Sequence, residues 1–229
     1  MILSKYVISD IHGHFDEFKD ILKIIDFSDK DTLYILGDII DQGEQSVELI
    51  EFVKEHKNIV TLLGNHEYMM YQFMNKHDYN SQNIWFANGG SSTYAQIYGE
   101  CRQDNIETKN KEDDLMCWIG KLPIKVEFRL NNINYVLCHA NPFAKSIDSA
   151  VWDRIHPWDY IESANDDSIY IIGHTPILRY QKGQATLLKN EQNNLWYIDG
   201  GAAYPIYKNA RLLCIRLDDL SEFSVKLNL

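Results

Sequence analysis

The sequence predicts an α/β fold, and two observations support that prediction. Six short apolar runs have the composition of buried strands, and each leads into a polar loop that contains Asp, Asn or His. Between the first three runs, apolar residues recur at the three-to-four-residue spacing of an amphipathic helix. Strands and helices in alternation imply parallel strands joined by crossover helices.

The length and composition fit one domain. The chain has 229 residues, of which 45% are hydrophobic and 24% charged, enough to bury a sizeable core. No linker stands out, so we predict a single domain over residues 1–229, although two smaller domains are also compatible with this length. The net charge of -11 argues against nucleic-acid binding, since neutralising phosphates requires a basic face.

The cysteines and the amino terminus indicate the compartment. The four cysteines lack Cys-x-x-Cys spacing, which favours reduced thiols in a cytosolic protein. The first predicted strand follows the amino terminus almost directly, and neither a signal peptide nor a long apolar span is evident. We therefore expect a cytoplasmic location and no membrane partner.

The amino-terminal part alternates regularly, because each apolar run is followed by a helical pattern. In order, the elements predicted here are a strand over 6–8, a helix over about 15–25, a strand over 33–36, a helix around 47–53 and a strand over 59–63.

Residues 67–122 differ in character. A Met/Tyr-rich segment at 69–74 predicts a short helix, residues 88–92 predict a turn, and residues 101–114 are polar and charged. We predict a helical insertion that packs beside the site and shapes a substrate pocket. An ordinary helical layer over the sheet fits the same pattern equally well.

The carboxyl-terminal part predicts short strands and turns. Residues 125–130 alternate in polarity, break at Asn131 and Asn132, and resume at 133–138, which indicates a hairpin. Residues 211–217 and 223–227 predict a closing antiparallel pair.

The polar residues that follow the six strands are predicted to form one site. In open α/β sheets, ligands bind at the carboxyl ends of the strands. A mixture of carboxylate, amide and imidazole groups favours Mn, Fe or Zn over Ca. A short motif such as Asp-x-His means little alone, but six such loops in succession are hard to obtain by chance. The residues are Asp10, His12, Asp38, Asp41, Asn65, His66, His139, His174 and Asp199.

These motifs resemble those of the metal-dependent phosphoesterases, and more closely the bacterial and phage members of the serine/threonine phosphoprotein phosphatase (PPP) family. The resemblance implies a calcineurin-like metallophosphoesterase fold: a two-sheet β-sandwich flanked by helices, with a dimetal site at the strand carboxyl ends. The matching blocks are residues 9–13 (Ser-Asp-Ile-His-Gly), 37–43 (Gly-Asp-Ile-Ile-Asp-Gln-Gly), 64–67 (Gly-Asn-His-Glu), 138–140 (Cys-His-Ala) and 173–175 (Gly-His-Thr).

The resemblance also implies which residues bind metal. Two divalent ions, Mn in the first place with Fe or Zn as alternatives, would hold a bridging hydroxide that attacks phosphorus directly. Asp10 and His12 would hold one ion, Asp38 would bridge both, and Asn65, His139 and His174 would hold the other.

The same resemblance assigns roles beyond the metals. His66 would protonate the leaving oxygen as general acid, with Asp41 holding its ring. Arg154 and Asn65 would contact the substrate phosphate, although Arg154 could instead form a surface salt bridge. The family normally has Arg where this chain has Gln42, and losing that charge-assisted contact would cost about 1.5–3 kcal/mol of binding.

Three functions are compatible with these residues. The first is a metal-dependent phosphomonoesterase, in particular a protein phosphatase acting on phosphoserine, phosphothreonine or phosphotyrosine. The second is a nucleotide hydrolase like the diadenosine tetraphosphate hydrolases, which tend to lose the second Asp of the middle motif but keep its Arg. This chain does the reverse at Asp41 and Gln42. The third is a weakly catalytic protein that binds phosphorylated ligands, supported by Gln42 alone.

Several further residues receive bland predictions. Asp199 is expected to support the site indirectly, and Glu67 either to orient a loop or to begin a helix. Surface or packing roles are expected for His14, His56, His77 and His156, and core roles rather than pocket roles for Tyr71, Trp85, Tyr94 and Trp118.

Overall fold

The computed structural model describes residues 3–99, 106–162, 164, 167–204 and 206–228. Within these residues, ten strands form two five-stranded sheets. The strands are β1 (Lys5–Ile8), β2 (Thr32–Ile35), β3 (Ile59–Thr61), β4 (Lys125–Leu130), β5 (Ile133–Cys138), β6 (Ser168–Ile172), β7 (Leu188–Asn190), β8 (Leu195–Tyr197), β9 (Arg211–Arg216) and β10 (Ser221–Lys226). The α-helices are α1 (Phe15–Ile24), α2 (Ser46–Glu55), α3 (Asn65–Lys76), α4 (Tyr79–Ala87), α5 (Gly90–Tyr98), α6 (Ile106–Ile119) and α7 (Ile147–Trp152).

The first sheet has the order β10-β9-β1-β2-β3. Strands β1, β2 and β3 are parallel and are linked through α1 and α2, which confirms the predicted alternation. Helix α1 buries Phe18 and Ile21 on one face, as its apolar spacing predicts. The predicted closing pair is β9 and β10, which are antiparallel and extend the sheet beyond β1.

The second sheet has the order β4-β5-β6-β8-β7. Strands β5, β6 and β8 are parallel at its centre, and β4 and β7 are antiparallel at its edges. The predicted hairpin is β4 and β5. Its turn residues Asn131 and Asn132 have φ values of 48° and 65°, a conformation that Asn tolerates better than most residues.

Four helices, α3 to α6, connect the two sheets and occupy most of the predicted helical region. The sequence prediction of a short helix at 69–74 was too short, because α3 begins at Asn65 and has 12 residues. The predicted turn was too long, because Gly90 already begins α5. Residues 101–105 of the charged run lie outside the described residues.

The aromatic residues of this region pack mainly with one another. Trp85 is fully buried, and its ring lies 5.6 Å from those of Phe73 and Phe86 and 6.4 Å from that of Tyr94. Trp85 and Tyr94 therefore contribute to packing, as expected.

Among the helices that the structure describes, none is both long enough and apolar enough to cross a bilayer.

Candidate metal centre

The candidate site lies where the carboxyl ends of strands from both sheets meet. Asp10 and His12 follow β1, Asp38 follows β2, and these loops belong to the first sheet. His139 and His174 follow β5 and β6 of the second sheet. The sequence prediction of one shared site is thus supported by the geometry, and the strand ends that form the site belong to both sheets of the sandwich that the family resemblance implied.

Asn65 and His66 reach the site from a helix and not from a loop, contrary to the sequence prediction. They occupy the first turn of α3, whose N-cap is Gly64. The Gly64 backbone N–H donates to Glu67 Oε2 at 3.0 Å, which satisfies one of the helix's free amino-terminal donors. Because α3 begins at Asn65, the helix sets the backbone positions of both Asn65 and His66.

The first group of donor atoms surrounds His12. Its Nε2 lies 3.7 Å from Asp38 Oδ2 and 4.0 Å from Asp10 Oδ1. Its Nδ1 lies 3.0 Å from the Ile40 carbonyl oxygen, and because a carbonyl only accepts, the ring hydrogen is on Nδ1. The lone pair on Nε2 consequently faces the two carboxylates. This is the arrangement of a metal-binding histidine that the protein backbone orients.

The second group of donor atoms is tighter. Asn65 Oδ1 lies 2.9 Å from both His139 Nε2 and His174 Nδ1, and these two nitrogens are 3.2 Å apart. The other ring nitrogens donate to carbonyl oxygens, His139 Nδ1 to Leu36 at 2.8 Å and His174 Nε2 to Trp152 at 3.2 Å. Three acceptor atoms therefore face one another with no hydrogen between them, which is favourable only around a cation.

Asp38 belongs to both groups. Its Oδ2 lies 3.5 Å from His139 Nε2 in addition to its contact with His12. Clusters of His and Asp whose ligand atoms lie within 4.8 Å of one another form on both sides of Asp38, one with His12 and His66, the other with His139 and His174. One carboxylate is thus shared between two adjacent donor sets.

The electrostatics of the cluster also fit cations. Burial raises the pKa of Asp10 and Asp38 well above the ordinary value, and neighbouring carboxylates, Asp199 for the first and Glu67 for the second, raise it further. Burial lowers the pKa of His139 to about 3 and of His174 to about 2, so both rings are neutral and can bind metal. Divalent cations would offset the crowded carboxylates.

By distance His66 belongs to the cluster of His12 and Asp38, but its Nδ1 has a separate partner. Its Nδ1 donates to Asp41 Oδ2 at 2.7 Å, while its Nε2 lies 3.9 Å from Asp38 Oδ2. Asp41 Oδ2 also accepts the indole N–H of Trp85 at 2.9 Å. The sequence prediction missed this contact of Trp85, because nothing in the spacing of a buried tryptophan indicates where its N–H points.

Glu67 performs both of the tasks that its position left open. Besides capping α3, its carboxylate accepts the backbone N–H groups of Asp38 and Ile39, each at 2.9 Å. Burial raises the pKa of Glu67, and these N–H groups act in the opposite direction. Glu67 therefore links the start of α3 to the loop that carries Asp38.

Asp199 and Arg154 line the same cavity. Asp199 accepts the Gly201 N–H at 2.7 Å, and burial raises its pKa to about 7. Arg154 Nη1 donates to the His174 carbonyl oxygen at 3.2 Å and to Thr175 Oγ1 at 2.8 Å, so this nitrogen serves the site loop rather than a surface salt bridge.

Gln42 forms its side-chain hydrogen bond with Asn88, a residue that lines the cavity. Its exposed side chain donates to the Asn88 carbonyl oxygen at 2.9 Å, between α4 and α5.

The remaining histidines have ordinary surroundings, as expected. His14 lies beside Glu17, His56 bonds the Phe52 carbonyl, His77 ends α3, and His156 bonds Tyr180.

The loops at the site adopt a demanding backbone conformation. Asp10, His12, Asp38, Asp41 and His174 all have φ between 48° and 71°, in the left-handed region that side chains other than glycine rarely occupy. Such residues concentrate where the surrounding structure holds them for a function.

Comparison with known proteins identifies the family. The sequence model of the calcineurin-like phosphoesterase family matches residues 4–206 of this chain. A symmetrical bis(5'-nucleosyl)-tetraphosphatase of Chromobacterium violaceum is 44% identical over 64 residues, 27% of this chain and 23% of the relative. One of Vibrio parahaemolyticus is 29% identical over 147 residues, 60% of this chain and 44% of the relative. The matches thus span less than half of the length of these curated relatives.

Solved structures agree on the fold. A structure provisionally described as a diadenosine tetraphosphatase has a TM-score of 0.61 at 15% identity, covering 99% of this chain and 95% of that chain. A protein serine/threonine phosphatase of Saccharomyces cerevisiae has a TM-score of 0.59 at 13% identity, covering 99% and 80%. At these identities the likeness concerns the fold alone, and it confirms the predicted sandwich of two sheets with flanking helices. The chain therefore belongs to the calcineurin-like phosphoesterases, a family whose members use pairs of divalent metal ions.

Proposed function

We propose that this protein is a metal-dependent phosphomonoesterase, in the first place a protein phosphatase. The proposal depends on one observation: His66, whose Nδ1 donates to Asp41, lies at two groups of donor atoms that share Asp38. Metal groups alone would suit many hydrolases. A histidine held at Nδ1 with its Nε2 toward the cluster is suited to delivering a proton to a leaving oxygen.

Each donor group would hold one divalent ion. When bound, the ions would supply an activated water and positive charge facing the phosphate oxygens. Manganese is our first expectation, with iron or zinc as alternatives, because carboxylate, amide and imidazole donors are mixed. Asp10, His12 and Asp38 would hold one ion, and Asp38, Asn65, His139 and His174 the other.

His66 would act as the general acid. Its Nε2–H would donate to the ester oxygen as the P–O bond breaks, and Asp41 would keep the hydrogen of Nδ1 in place. Water would attack phosphorus directly, without a phosphoenzyme. An intact His66–Asp41 pair also argues against a protein that only binds phosphorylated ligands, because binding alone requires no proton donor.

Arg154 and Asn65 would hold the substrate phosphate. Arg154 lines the cavity, and its two hydrogen bonds to the His174 loop both come from Nη1. Its other guanidinium donors can therefore pair with phosphate oxygens. Since Gln42 is neutral where the family normally has Arg, Arg154 would be the principal cationic side chain in contact with the phosphate.

A second candidate is hydrolysis of dinucleoside tetraphosphates. The names of the curated relatives favour it, although the matches span less than half of their length. The retained Asp41 favours the phosphatase, as the motif comparison indicated. The cytoplasmic location and a phosphorylated protein or small phosphoester as the partner remain predictions from the sequence.

A direct comparison of substrates separates these two candidates. After removal of metals with a chelator, the protein is assayed with added Mn²⁺ on a phosphoserine peptide and on diadenosine tetraphosphate. We expect a higher kcat/KM for the peptide, and no phosphate release from it without Mn²⁺. A preference for the dinucleotide would contradict the phosphatase proposal and keep the metal site.

Replacing the general acid tests the assigned mechanism. His66→Asn should lower kcat for the phosphoserine peptide about 100-fold or more, because the leaving oxygen loses its proton donor. The bound metal, measured by elemental analysis, should not change. His77→Asn is the matched control, since this exposed histidine has φ of 49°, a conformation that Asn tolerates. Activity retained by His66→Asn would show that another group supplies the proton.

Removing the cation tests phosphate recognition. Arg154→Ala should raise KM for the phosphopeptide about tenfold, as expected for the loss of one charge-assisted contact. Arg216→Ala, which removes a surface ion pair with Asp219, should leave KM within about twofold. Unchanged kinetics for Arg154→Ala would exclude Arg154 from substrate binding.

A further inference from the structure

We infer that Trp85 is a positioning residue for the general acid, acting on His66 through their shared contact with Asp41. This inference depends on the proposed function, because it needs His66 to donate a proton. It also assigns the helical region between the two sheets a role in orienting the general acid, which the sequence did not suggest. Trp85 belongs to α4, which follows the α3 helix that carries His66.

The contact is a chain of three buried side chains. The indole N–H of Trp85 donates to Asp41 Oδ2 at 2.9 Å, and His66 Nδ1 donates to the same oxygen at 2.7 Å. Trp85 and Asp41 are fully buried, and His66 is 7% exposed. Water therefore has little access with which to replace the indole donor if it is removed.

The orientation of the Asp41 carboxylate depends on the hydrogen bonds that its Oδ2 accepts. Its other oxygen, Oδ1, is buried and has no hydrogen-bond partner in the part of the chain that the structure describes. When only one oxygen of a carboxylate accepts hydrogen bonds, a single donor leaves the group free to turn about the Cβ–Cγ bond. Two donors to that oxygen restrict this rotation. Trp85 and His66 are these two donors, so removal of the indole N–H would leave His66 as the remaining one.

The backbone of Asp41 is fixed separately. Its N–H lies 2.9 Å from Thr93 Oγ1 and 3.1 Å from Ser46 Oγ, and both hydroxyls are buried. Thr93 belongs to α5 and Ser46 begins α2. Loss of the Trp85 contact should therefore free the carboxylate without displacing the loop.

Trp85 is itself held firmly enough to act as a reference point. A Cβ atom added at Gly90 would lie 2.4 Å from two atoms of the indole, so the ring packs directly on the backbone at the start of α5. The rings of Phe73 and Phe86 also lie near it, each with its centroid 5.6 Å from that of the indole. The direction of the N–H is thus set by packing rather than by Asp41.

The chemical consequence concerns only the breaking of the ester bond. As the P–O bond breaks, the proton on His66 Nε2 moves to the leaving oxygen, and solvent later returns a proton to Nε2. A poorly oriented imidazole delivers this proton less effectively. An alkyl leaving group such as serine requires the proton, whereas p-nitrophenolate is a stable anion that leaves without it.

The test compares the two leaving groups in Trp85→Phe, which keeps an aromatic ring and removes the N–H. With Mn²⁺ present, kcat for the phosphoserine peptide should fall about tenfold, equivalent to about 1.4 kcal/mol, while kcat for p-nitrophenyl phosphate changes less than about twofold. KM for both substrates should stay within about twofold. His66→Asn serves as the reference and should have the same selectivity, with a larger loss.

Two further proteins control for packing. Phe86→Leu weakens one contact with the Trp85 ring but keeps the N–H and the Gly90 backbone against which the indole packs, so the loss specific to the phosphopeptide should stay within about twofold. If Trp85→Phe does not fold, benzothienylalanine introduced at position 85 keeps the bicyclic shape and still lacks the N–H. It should reproduce the selective loss on the phosphopeptide.

The outcomes separate the inference from the proposed function. Equal losses on both substrates for the position 85 variants, with a selective loss for His66→Asn, would overturn the positioning role and leave the general acid intact. No selectivity in His66→Asn would overturn the general acid and, with it, the role of Trp85.

Discussion

The arrangement of this molecule depends on one buried carboxylate, that of Asp38. Its Oδ1 accepts the backbone N–H of His66 at 3.0 Å, and its Oδ2 faces three imidazole nitrogens at 3.5 to 3.9 Å. Burying this group and the nearby Asp10 is costly unless positive charge is present, as the raised pKa of both groups indicates. The two sheets therefore meet around a centre that is most stable when cations occupy it.

The backbone around this centre is held under constraint. Gly37, at φ of 95°, leaves room for the next loop, since a Cβ there would lie 2.5 Å from the Gly64 nitrogen. Asp38 follows it in the left-handed region, and its carbonyl oxygen accepts the His12 N–H at 2.9 Å. Glu67 holds the same loop from α3 through the N–H groups of Asp38 and Ile39. Close packing and hydrogen bonds together maintain a geometry that the isolated loops would not keep.

Much of this could be predicted locally. The apolar runs indicate strands such as β1 and β2 because burial requires continuous apolar residues, and the polar types that follow them, Asp10 and Asp38, indicate metal chemistry. The meeting of two sheets could not be derived from periodicity, because strand order and the relation between sheets arise from contacts distant in sequence. It followed only from resemblance to a family. Trp85 was predicted as core, correctly, but its N–H contact depends on packing against Gly90 and could not be read from spacing.

The most direct test of a paired metal centre is a crystal structure from crystals grown with Mn²⁺. Diffraction data would be collected at a wavelength where manganese scatters anomalously, so that each bound ion gives a peak. Two peaks should lie on either side of Asp38, one bonded to His12 and Asp10 and the other to Asn65, His139 and His174, with Asp38 Oδ2 within bonding distance of both. A single peak, or two ions that do not share Asp38, would contradict a paired metal centre. His66 Nε2 bonded to either ion would contradict its assignment as the proton donor.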